Sequence, residues 1–139
     1  MCGIAGYFDP KSQVGNAALN QMVKALEHRG PDAQGSFSYK NFHLGHTRLS
    51  IIDLSEAANQ PFTSSCGRYV IAFNGEVYNY KELRKTHQLN CRTASDTEVI
   101  LELFIKYGPT HATLLNGMFA YCILDLKAEK LYLYRDRLG

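Results

Sequence analysis

Apolar residues recur along the chain at two spacings, one of strands and one of helices. Cys2–Phe8 carries small, branched and aromatic residues closed by Asp9-Pro10, which predicts a strand. Leu19, Met22, Val23 and Leu26 follow at i, i+3, i+4 and i+7, the spacing of one helix face, with Asn16 placed to cap it. That helix stops before His28-Arg29-Gly30-Pro31-Asp32, because a proline disfavours helical backbone in the residue ahead of it. Ser36–Lys40 and Phe42–Thr47 predict two strands around a tight turn near Asn41, and Leu49–Ile52 continues extended. The stretch from Asp53 to Gly67 is polar, holds Pro61, and reads as a long loop. Arg68–Phe73 and Glu76–Tyr78 flank Asn74-Gly75, a pair that tolerates the positive φ of a hairpin turn. Tyr80–Lys85 predicts a short helix. Ser95-Asp96-Thr97-Glu98 forms a capping box ahead of the apolar stripe Val99, Ile100, Leu103 and Phe104, and Gly108-Pro109 ends that helix. Met118–Leu124 and Lys130–Tyr134 predict a strand pair around Lys127-Ala128-Glu129. The order β, α, several β, α, β predicts an α+β or layered α/β/α fold. The chain closes on Arg135-Asp136-Arg137-Leu138-Gly139 directly after a strand, with no cap or closing helix, which predicts a cut inside a domain.

Composition narrows the class. The 139 residues are 45% hydrophobic and 20% charged, which is ordinary for one globular domain and excludes disorder, collagen and coiled coil as overall descriptions. A net charge of +2 is too weak to predict a nucleic-acid surface. The apolar run Met118–Leu124 is far short of the ~20 residues a membrane helix needs, and MCGIAGYF lacks the basic and long apolar regions of a signal peptide. Cys2, Cys66, Cys91 and Cys122 form no C-x-x-C pair, so a reduced, cytoplasmic chain is expected. His43 and His46, three apart on a strand, point to opposite faces and cannot share a metal ion.

Cys2 stands out by position. Removal of Met1 would make it the N-terminal residue and set its thiol beside its own α-amino group, whose reference pKa is about 7.7–8.0. One residue would then supply a nucleophile and its base. Against this stands a chance cysteine in a first strand.

The segments MCGIAGYF, HRGPD, GHTRLSIIDLS, FNGEVYNYKELR, SDTEVIL, NGMFAYCILD and LYLYRDRLG run in this order over nearly the whole chain. Together they resemble the glutaminase domain of glutamine-dependent asparagine synthetases, a class II glutamine amidotransferase and N-terminal-nucleophile hydrolase. The Arg-Leu-Ser-Ile-Ile run is more similar to that branch than to the sugar-phosphate and phosphoribosyl branches, where tryptophan commonly follows the arginine; this chain has no Trp. The resemblance implies a four-layer αββα sandwich whose C-terminal part is missing here.

It also implies a set of roles. Cys2 is the nucleophile that attacks the side-chain amide of L-glutamine, forms a γ-glutamyl thioester and releases ammonia. Asn74, through its side-chain amide, and Gly75, through its backbone N–H, are the oxyanion donors; read alone, the same pair is a plain hairpin turn. Arg48 meets the substrate carboxylate with its planar fork. Leu49, Ser50, Ile51 and Ile52 line that end of the pocket, and Glu76 and Asp96 take the substrate ammonium. Read alone, Arg48 is a solvated strand residue, Glu76 a hairpin-edge charge and Asp96 an acid favoured by the helix dipole. His28 receives no role, and HRGPD is a structural segment near the pocket.

No G-x-x-x-x-G-K-[ST] phosphate loop is present, and the family's pyrophosphate-binding loop is missing, so no cofactor is expected in this chain. The resemblance puts ATP and Mg in a C-terminal synthetase domain that receives the ammonia, and that domain is the expected partner, with a homodimer left open. Three alternatives remain: the glutaminase domain of a sugar- or peptide-modifying amidotransferase, a non-catalytic remnant serving as an interaction module, and an N-terminal cysteine hydrolase of other amides, which would not need the Arg48 and Asp96 clamp.

Overall fold

The computed structural model describes residues 1–139 except the side chain of Asn16. Asn16 is not the predicted cap, because the helix begins at Gly15 with Val14 in the N-cap position, which puts Asn16 inside the first turn. Two antiparallel sheets face each other. The first has three strands in the order β1 (Gly3–Phe8), β3 (Phe42–Arg48), β2 (Ala33–Tyr39). The second has four in sequence order: β4 (Phe62–Thr63), β5 (Tyr69–Val77), β6 (Gly117–Asp125) and β7 (Lys130–Arg135).

Alternation along the strands builds the layers. Phe42 and Leu44 of β3 meet Val70 and Ala72 of β5 and Cys122 and Leu124 of β6, closing one core between the sheets. The opposite phase of the second sheet, with Ile71, Phe73, Tyr121 and Ile123, packs against Val99, Ile100, Leu103 and Phe104 of helix α3 (Asp96–Tyr107), beside the short helix α2 (Tyr80–Thr86). Helix α1 (Gly15–Ala25) covers the outer face of the first sheet with buried Leu19 and Val23. The result is the αββα sandwich expected, and no helix is long and apolar enough to cross a membrane among the described residues.

Several expectations are corrected. Asn74-Gly75 is not a turn. β5 runs unbroken through it, with Asn74 opposite Ala120 and Gly75 opposite Phe119. The glycine serves a close approach instead: φ at Gly75 is +152°, and a Cβ there would lie 2.2 Å from the Met118 carbonyl oxygen. Leu49–Ile52 does not extend β3 but bends away from it. The long polar loop contains the two-residue strand β4, and a 3₁₀ segment, Gly108–Leu114, follows α3. Half of the capping box forms. The Ser95 hydroxyl accepts from the Glu98 N–H at 3.3 Å, but the Glu98 carboxylate turns to the N–H and hydroxyl of Thr93, at 2.6 and 2.7 Å.

Candidate active site

The site lies at one end of the sandwich, where β1 begins and β3 and β5 end. Gly3 pairs with Thr47, so the register carries Cys2 to the level of Arg48 on the neighbouring strand. Cys2 is half-buried. Its sulfur accepts from the Leu49 N–H at 3.4 Å, and its S–H points to the Leu49 carbonyl at 3.7 Å. Arg29 Nε donates to the Cys2 carbonyl oxygen at 3.1 Å. The nucleophile is therefore held by its backbone and leaves its sulfur in weak contacts that a substrate can displace.

The segment HRGPD, without an assigned role in the sequence, is the frame around Cys2. Besides the Arg29 contact, Asp32 donates its N–H to the Arg48 carbonyl at 3.0 Å and accepts at Oδ2 from the Ser50 N–H at 2.7 Å. A Cβ at Gly30 would lie 2.5 Å from the Thr47 carbonyl, which explains why the segment can pass this close to β3.

Arg48 is buried, and three of its five N–H groups are already engaged. Nη1 donates to the Ser55 carbonyl at 2.8 Å and to Asn59 Oδ1 at 2.7 Å, and Nη2 donates to the Asp53 carbonyl. The arginine thus folds residues 53–59 around itself and keeps two N–H groups for a ligand, so the solvated-strand alternative fails. Asp53 was missed in the sequence. Its carboxylate accepts from the Ser55 N–H and hydroxyl and, at 2.8 Å, from the Ala94 N–H just ahead of α3. The Asp-x-Ser spacing of Asp53-Leu54-Ser55 is the local signal that marks such a turn.

Asp96, at the start of α3, is buried and accepts from the Val77 N–H at 3.0 Å. Burial, with Glu76 nearby, pushes its carboxyl up to about 6 despite that hydrogen bond. A cavity lined by Cys2, Arg48, Asp96, Glu76 and Gly75 joins these groups, with Leu49, Ile51 and Ile52 on its wall. Ser50 and Asn74 are not among the lining residues. Ser50 takes part through the backbone bond to Asp32. Asn74 lies on the inner phase of β5, and its Oδ1 is buried without a hydrogen-bond partner among the described residues.

The outer edge of β5 is also informative. β4 pairs only with Val70 and Ile71. Beyond it, Phe73 and Val77 send their N–H groups away from β6, to Gln60 Oε1 and to Asp96 Oδ2. Gly75 stands between them in the same phase of the ladder, so its N–H faces the same edge and the cavity. A thiol, a free backbone N–H, a basic fork and a buried carboxylate therefore surround one small space. That constellation suits acyl transfer from a substrate carrying both charges of an α-amino acid.

Comparison with known proteins agrees. The chain is 41% identical to a putative glutamine-hydrolysing asparagine synthetase of Methanocaldococcus jannaschii and 40% identical to asparagine synthetase B of Escherichia coli. It aligns over its whole length to each, but spans 30% and 26% of their lengths. Its fold matches the glutamine phosphoribosylpyrophosphate amidotransferase of Bacillus subtilis with a TM-score of 0.69 over 97% of this chain and 36% of that one, at 20% identity. Residues 1–139 match the glutamine amidotransferase domain family from end to end, and the chain belongs to it.

Proposed function

We propose that this chain hydrolyses the side-chain amide of L-glutamine, and that its ammonia serves an ATP-dependent asparagine synthetase domain of the same protein. The observation that carries the reading is Cys2 Sγ sharing one cavity with Arg48 and Asp96, two opposite charges that match the two charges of the substrate. With Met1 removed, the Cys2 amine takes the thiol proton as sulfur attacks the amide carbon. The tetrahedral oxyanion rests on the Gly75 N–H and the Asn74 side chain. Collapse breaks the C–N bond, and the amine returns the proton to the leaving ammonia. Water then enters by the same route and frees glutamate from the thioester. ATP and Mg have no step in this half-reaction. The test is labelling of Cys2 by a glutamine-analogue electrophile together with ammonia release from glutamine. A folded protein that does neither is a remnant and not an enzyme.

The clamp has two separate signatures. Arg48→Lys replaces a planar fork by a point charge and also frees the 53–59 loop, so KM for glutamine rises by about 10- to 100-fold with a smaller change in kcat. Equal hydrolysis of glutamine and its methyl ester by the unmutated protein would exclude a carboxylate contact.

Asp96 gives the second. Only the carboxylate attracts the substrate ammonium, and the group ionises at about 6. Glutamine affinity therefore weakens about tenfold per pH unit below that value and levels off above it. Titration calorimetry on a Cys2→Ala protein from pH 5 to 8 reads this directly, and Asp96→Asn removes the pH dependence. Stability moves the opposite way. The folded chain holds a proton that the unfolded chain releases near 4, so raising pH from 4 to 6 lowers stability by about 2 kcal/mol from this group.

A further inference from the structure

Past the end of β4, the outer edge of β5 has no strand beside it, yet both polar backbone groups of Phe73 are bonded. Gln60 Oε1 accepts from the Phe73 N–H at 2.6 Å. His46 Nε2 donates to the Phe73 carbonyl at 3.0 Å. The two side chains arrive from different places. His46 reaches across the sandwich from the middle of β3, and Gln60 comes from the loop before β4, with its Nε2 donating on to Thr97 Oγ1 in the first turn of α3 at 3.3 Å. Both are buried, with 1% and 7% of their surface exposed. The peptide they fix is the one that leads into Asn74 and Gly75.

The chemistry of His46 shows that the ring is not there as filler. A bond to a carbonyl requires the proton on Nε2, which leaves Nδ1 as a bare acceptor. That Nδ1 is buried without a partner among the described residues. Burial lowers the ring's pKa to about 4, so it stays neutral at ordinary pH. A leucine of similar volume would fill the space without stranding a polar atom, whose burial is unfavourable. Gln60 is placed in the same way. An amide in the glutaminase pocket wall points its oxygen at the strand and its nitrogen at α3, so neither end is turned to the cavity.

We propose that Gln60 and His46 are positioning residues that together clamp the Phe73 backbone and so set the direction of the Asn74 amide and the Gly75 N–H. The inference rests on the glutaminase reading above. Side chains replace the absent neighbouring strand at Phe73, so that β5 stays rigid while its edge is left open two residues later, where the reacting oxygen sits. Preorganised donors stabilise a transition state only if they do not have to reorient as charge develops. A loosened Phe73 would leave glutamine binding largely intact, since Arg48 is carried by β3 and Asp96 by α3, whose bond to β5 is made at Val77, four residues past Phe73, and would slow the chemical step.

The experiment uses the full-length protein and compares Gln60→Met, His46→Leu and His46→Gln with the unmutated form. In Gln60→Met the Phe73 amide loses its acceptor, and its hydrogen exchange accelerates about tenfold or more. In the same variant kcat for glutamine hydrolysis falls about tenfold while KM stays within about twofold. His46→Gln, whose amide N–H can reach the same carbonyl, retains more of kcat than His46→Leu. Should the His46 variants not fold, the exchange rate and the kcat-to-KM split of Gln60→Met decide alone. Faster Phe73 exchange with unchanged kcat overturns the proposal, as does a loss of kcat and KM together that follows the melting temperature. An unmutated protein with a protected Phe73 amide and no glutamine hydrolysis overturns the glutaminase reading itself, and the positioning role with it.

Discussion

Cys2→Ala lowers ammonia release from glutamine by at least about 10⁴-fold while leaving glutamine binding measurable, because no other thiol lies in the cavity and the covalent route has no substitute. The other three cysteines are elsewhere. Cys122 lies buried between the sheets, its thiol pushed up to about 11 by burial, and Cys91 is likewise pushed up to about 11. Cys66 is exposed on the loop before β5. A second form of the same result comes from the N-terminus. Met1 is 58% exposed and lines the cavity mouth beside Cys2, within reach of a processing peptidase. A protein carrying an uncleaved extension ahead of Cys2 keeps the thiol but converts its amine to an amide, which cannot take a proton. Loss of the general base costs about 10²–10⁴-fold. Intact mass and ammonia release measured on the same sample test both statements. Full activity with Met1 retained would remove the amine from the mechanism, and full activity of Cys2→Ala would remove the nucleophile.

Positions that follow a local rule were readable in the sequence. The α3 stripe, its Ser95 cap and its end at Gly108 all appear as expected, because each depends on neighbours within four residues. The failures come from tertiary contacts that override a local preference. Asn74-Gly75 has the composition of a hairpin turn, yet β6 supplies a partner for each residue, and nine ladder positions outweigh one turn preference. The predicted turn and the observed strand both call for glycine, the turn for its positive φ and the strand for the close approach to the Met118 carbonyl.

The site divides in the same way. Cys2 is conspicuous because only its chain position makes it unusual. Arg48, Asp96 and Glu76 gain meaning from seven motifs in series, and not from any one of them. Asp53 and His46 lie inside the GHTRLSIIDLS segment and Gln60 just beyond it, yet their positions there disclose no role. Each acts on backbone groups far away in sequence: Asp53 on Ala94, Gln60 and His46 on Phe73. A backbone N–H has no side-chain identity, so its partner leaves no pattern in a single sequence. Arg48 illustrates the limit. The motif identifies it as a carboxylate ligand, whereas its bonds to residues 53, 55 and 59 make it equally the post around which the loop is folded.

Asn74→Ala is expected to lower kcat by about 10²–10³-fold with little change in KM, the pattern of a donor used chiefly in the transition state. Its structural setting sharpens the expectation. Asn74 sits mid-strand, opposite Ala120, and its Oδ1 is buried with no partner among the described residues. A buried amide oxygen left unpaired costs about 1–3 kcal/mol, so nothing in the ground-state fold rewards an asparagine here. Truncation to alanine removes that unsatisfied atom and some contact area together, and the two effects oppose each other. The melting temperature therefore stays close to that of the unmutated protein while turnover collapses. Asn74→Asp separates shape from donation: it keeps the volume, loses both amide protons and sets an anion beside a developing anion, so it falls at least as far as alanine. Steady-state kinetics with glutamine and thermal unfolding of the three proteins test the combination. A rise in KM at constant kcat would make Asn74 a binding contact. A loss of activity in step with a loss of stability would make it a strand residue, and the oxyanion would then rest on the Gly75 N–H alone.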